Sequence, residues 1–120
     1  MRNNPSNLII AGVVTALQEV RKTFQQRTKT SEVLDAFWCL QDQVHRLVEN
    51  ASDHPDEAFH LIESAHPHLV RDIAELLSFA LKRSVIQIPA VSQSCSEIND
   101  SLQRLQNLKY QPRSRAASAG

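Results

Sequence analysis

The segment HLIESAHPHLV, residues 60–70, sets three histidines, a glutamate and a proline within eleven residues. Imidazole and carboxylate groups at helical spacing can hold a divalent cation. Glu57 and His60 stand three residues apart, as do Glu63 and His66. Di-iron carboxylate bundles take that step from two different helices that face one core. Here both steps fall on one expected helix, six residues apart, and they point to different sides. The di-iron pattern is therefore not met. A looser site can still be drawn, because Asp56, His60 and Glu63 share one helical face. A turn centred near Asp53 would bring His45 and Glu49 level with His60 and Asp56. These four, His45, Glu49, Asp56 and His60, are the candidate metal ligands. The plainer expectation is an exposed polar face carrying i,i+4 pairs.

Phosphoryl transfer is the other chemistry that histidine suggests. His45-Arg46-Leu47 resembles a His-x-Leu fragment of histidine phosphotransfer domains, which are helical bundles of similar size. Val48 and Glu49 follow where that family has lysine and glycine, and His68-Leu69-Val70-Arg71 matches no better. The chain contains no glycine-rich phosphate loop, nucleophile elbow or HExxH. Its two glycines, Gly12 and Gly120, leave few loops in which to build an active site. The sequence thus points away from an enzyme and calls for no cofactor.

The same shortage of glycine removes the turns that β-hairpins need, and leucine, glutamine, glutamate, alanine and arginine fill the long segments. An all-α domain follows. Four segments keep a 3–4 apolar spacing. They are Ile10 to Phe24, Val33 to Ala51, Phe59 to Ala80 and Ile88 to Leu105. Stripes of this kind bury one another around a shared core, as in an antiparallel up-down four-helix bundle. Helices are expected at about residues 5–27, 31–51, 55–86 and 89–109, as one domain, with a disordered tail over 110–120. Pro5, Pro55 and Pro89 stand where a helix tolerates a missing N–H, with Asn4 and Asp53 as capping residues. Pro67 falls inside the third stripe, so that helix should be kinked or broken near Ala65–His66.

Formal net charge is zero, but residues 30–81 carry ten carboxylates against Arg46 and Arg71, a local balance of −8. Arg21, Lys22, Arg27 and Lys29 make only a short basic end. Nucleic-acid recognition would need a longer basic stripe interleaved with aromatics. Leu8 to Leu17 is apolar but too short to span a membrane, and it runs into charged helix without a cleavage signature. Cys39 and Cys95 show no metal spacing, and Cys95 falls on the apolar stripe, which fits a reduced, cytoplasmic thiol.

Helices 2 and 3 carry a second apolar line, with Leu34 and Trp38 on one, and Val70, Leu77 and Leu81 on the other. Aromatic anchors are enriched at protein interfaces. These five residues are the expected interface of a homodimer or partner complex. In size and layout the chain resembles small export chaperones such as those of flagellar systems. That likeness implies a bacterial, non-enzymatic adaptor that binds another protein.

Overall fold

The third apolar stripe is divided. A computed structural model describes residues 5–25, 29–82 and 89–110, and it places five helices there and no strand. They are α1 (Pro5–Gln25), α2 (Thr30–Asp53), α3 (Pro55–Ala65), α4 (Leu69–Leu81) and α5 (Pro89–Tyr110). The expected extensions over 26–27 and 83–86, the Asn4 cap and the tail after Tyr110 lie outside the described residues.

The four-helix expectation gives way to five because of Pro67. Its ring would strike the carbonyl of Glu63 in a continuous helix, and it drives the preceding residue out of α geometry. His66 accordingly caps α3 at φ −140°, ψ 64°, its N–H bonded to the Ile62 carbonyl. Leu69 N–H bonds back to the His66 carbonyl at 3.0 Å, and α4 starts from there. At the α2–α3 joint the expected capping residue, Asp53, ends α2 instead. His54 alone makes the turn and caps α3, with Pro55 in its first turn.

Contacts at the two ends of the molecule fix the helix directions. Ser6, at the start of α1, donates to Asn50 Oδ1 near the end of α2 at 2.5 Å, and reaches Glu57 of α3 at 3.3 Å. At the other end Phe24 of α1 meets Phe37 of α2 edge to face, centroids 6.1 Å apart, and Phe79 of α4 at 5.2 Å. So α1 and α2 run oppositely, while α3 and α4 together follow α1. α5 then returns to α3, where Lys109 pairs with Glu63 at 3.6 Å. It packs along α2, tied to it by Ser94 Oγ donating to Gln41 Oε1 at 2.8 Å. An up-down ring would set only oppositely directed helices side by side. Here α2 and α5 are neighbours running the same way, so the fold is two helical hairpins laid against each other.

The core lies between the hairpins and takes nearly every stripe residue. Val13, Val20, Phe37, Leu40, Val44, Leu47, Ile73, Val91 and Ile98 are fully buried. α1 comes close to α2 at Gly12, where a methyl group would strike the Gln43 side-chain oxygen. Among the described residues no buried side-chain nitrogen or oxygen lacks a partner. The polar joints thus add direction to the core without leaving an unsatisfied group.

Candidate functional site

His45 points from α2 toward solvent and bonds Glu49 one turn later, Nε2 to Oε2 at 3.2 Å. It is an i,i+4 pair on an exposed helix face, the arrangement worth a few tenths of a kcal/mol, about 0.2–0.5. Asp56 is exposed in the first turn of α3, and His60 is exposed one turn beyond it. Glu63, on the same face, turns to Lys109 of α5. No group of three or more His, Cys, Asp or Glu that could hold a metal ion assembles among the described residues. His45, Glu49, Asp56 and His60 are therefore not brought together.

The histidine segment separates by the break. His60 lies on α3, His66 is the half-buried cap of that helix, and exposed His68 begins α4. His66 and His68 border a shallow hollow against α1, with Val14, Gln18, Arg21 and Asp72 around it. The proline supplies the geometry and the two imidazoles flank it. His66 is only half-buried because the chain leaves the helix there.

The five expected interface residues fall on two different faces. Trp38 of α2 is half exposed, and Leu34, one turn before it, is half-buried. On α4, Val70 is half-buried but Leu77 is buried in the core, and the side chain of Leu81 lies outside the described ones. Trp38 opens onto a groove between α2 and α5 lined by Gln41, Asp42, His45, Glu97 and Ser101. The Ser94–Gln41 bond forms part of the seam beside it. Asp42 is held by Arg46 at 3.0 Å. Glu97, Ser101 and Arg104 of α5 did not emerge from the sequence pattern, since apolar spacing marks the buried face of a helix and not the flank beside it. The spacing of Glu97 and Arg104, two turns apart, is their only mark in the sequence.

Two cysteines differ sharply in setting. Cys39 is exposed on α2, and Cys95 is buried in the seam of α5. Loss of solvation pushes the Cys95 thiol up to about 11. A thiol with a raised pKa favours the folded state below its unfolded value, and that advantage fades as pH climbs toward the folded value. Stability is therefore expected to fall from about pH 9 to 11, in the normal thiol range and above. A thiol-reactive dye at neutral pH should label one cysteine per folded chain and two after denaturation. Equal labelling of both in the folded protein would contradict the buried placement.

Among the described residues no helix is long and apolar enough to cross a membrane. Comparison with protein-family models, curated proteins and solved structures finds no match for this chain.

Proposed function

We propose that the chain is a non-enzymatic protein-interaction module, an adaptor or chaperone-like regulator of bacterial, cytoplasmic type. In this reading it works as a homodimer through the face made by α2 and α5. The α3–α4 pair acts as one bent rod that completes a bundle behind that face. The observation that carries the proposal is Trp38, the only tryptophan, 50% exposed at the rim of a groove. Large apolar side chains gain about 1.5–3 kcal/mol on full burial, so an indole left half in water has much still to gain. Tryptophan offers a broad, stiff surface with an N–H at its edge, which suits a contact made and broken in water. Leu34 lengthens the apolar line by one turn, and polar groups surround it as at an interface rim.

Replacing Trp38 by alanine should weaken self-association about tenfold to a hundredfold, as loss of a central aromatic anchor does. Helical content should stay the same, because the indole is not part of the core. Sedimentation equilibrium on the parent and variant measures this directly. A parent that sediments as a monomer throughout would contradict the homodimer.

A further inference from the structure

We infer that two copies of this chain meet with their α5 helices antiparallel, Glu97 of each lying opposite Arg104 of the partner subunit. The inference rests on the self-association proposed above and names its geometry.

A two-fold contact must be self-complementary, since residue i of one copy meets residue j of the other and j meets i. α5 carries that property on the flank bordering the Trp38 groove. Glu97 and Ser101 line the groove, and Arg104 follows on the same flank, three residues after Ser101. Glu97 and Arg104 are two turns apart, about 10.5 Å along the axis. A two-fold axis crossing α5 near Asp100 and Ser101 therefore sets each carboxylate against the opposite guanidinium. Both side chains are exposed, and among the described residues neither enters an ion pair. The nearby carboxylates are engaged differently, Asp42 with Arg46 and Glu49 with His45.

The surroundings suit the same contact. Leu108 continues the flank one turn beyond Arg104 and is half-buried. Trp38 lines the groove on α2 together with Glu97 and Ser101. An α5 of 22 residues is about 33 Å long. A face two helices wide at that length is comparable to the patch a stable dimer covers, about 800 Å² per partner. Arginine supports the pairing better than lysine would, because its planar fork meets a carboxylate with two parallel hydrogen bonds.

Charge reversal on the full chain tests the pairing by sedimentation equilibrium at low salt. Glu97→Arg and Arg104→Glu should each weaken the dimer about tenfold or more, since each opposes two like charges twice over. The double variant E97R/R104E should associate like the parent. An equimolar mixture of the two single variants should form a mixed dimer, because both pairs between positions 97 and 104 are then opposite in sign. Circular dichroism of each variant should match the parent, as both positions are exposed. A dimer indifferent to the single reversals, or one lost in both and not rescued, overturns the pairing and leaves self-association standing. A parent that stays monomeric at about 1 mM, where even weak contacts form, overturns both.

Discussion

Phe37→Ala is expected to destabilise the fold by about 3–5 kcal/mol, the range for deleting a fully enclosed phenylalanine. Phe37 has no exposed surface and sits near the start of α2. Phe24 leans on its ring edge to face, and Phe79 leans on Phe24 in the same manner. The three rings join α1, α2 and α4 at one end of the molecule. Aromatic pairs of this geometry add about 0.5–1.5 kcal/mol beyond the area they bury. Removing the innermost ring leaves a cavity and also loosens the seat of Phe24. For a domain of this length the melting temperature should drop by about 10–20 °C, followed by loss of the helical circular-dichroism signal. Phe79→Ala is the useful control: that ring is 39% exposed, so its loss should cost less. If Phe37→Ala costs no more than Phe79→Ala, the cluster does not hold this end together.

The opposite end is held by polar groups, and the second large effect is expected there. Ser6 is fully buried and donates to Asn50, which is 8% exposed. Asn50→Ala should cost about 1–3 kcal/mol, and Ser6→Ala a similar amount, because each leaves a buried polar atom with a poorer partner. The hydroxyl is also within reach of Glu57 at 3.3 Å, which softens the asparagine variant more than the serine variant. In a double-mutant cycle by urea unfolding, the pair should show a coupling of about 1 kcal/mol. Additive single effects would mean that the bond contributes nothing specific to joining α1, α2 and α3.

The apolar spacing made most of this architecture legible. Ile10, Val13, Leu17 and Val20 of the first stripe are all buried, as are Val33, Phe37, Leu40, Val44, Leu47 and Ala51 of the second. Pro67 marked the place where the third stripe divides, since its ring conflicts with helix geometry wherever the chain is otherwise going. Neighbour relations were less legible, because an amphipathic stripe says which face is buried and not against what. The Ser6–Asn50 and Ser94–Gln41 bonds, which pin those relations, join residues 44 and 53 positions apart. Serine and asparagine carry no periodic signal that would betray such a pairing. The histidines came to notice by residue type alone, whereas a metal site needs convergence. Among the described residues no group of three or more His, Cys, Asp or Glu could hold a metal ion, and His45 makes the i,i+4 pair with Glu49 that the spacing allows. Trp38 was legible as an outlier to its stripe; the groove it borders became visible only once α5 was placed beside α2.

The break at His66–His68 also changes how the chain shares its cooperativity. A helix stabilises each new turn through the turn before it, and an interruption forces a fresh nucleation that is unfavourable by itself. α4 spans 13 residues, near the length at which an isolated helix is marginal in water. It packs lightly on α1 and α5, and much of its hold comes from Leu69, Ile73, Leu76, Leu77 and Ala80. The proline thus acts as an electrical insulator would on a wire: order in α3 does not propagate into α4. The fourth helix therefore takes its order from the core residues it shares with its neighbours and not from the helix before it in the chain.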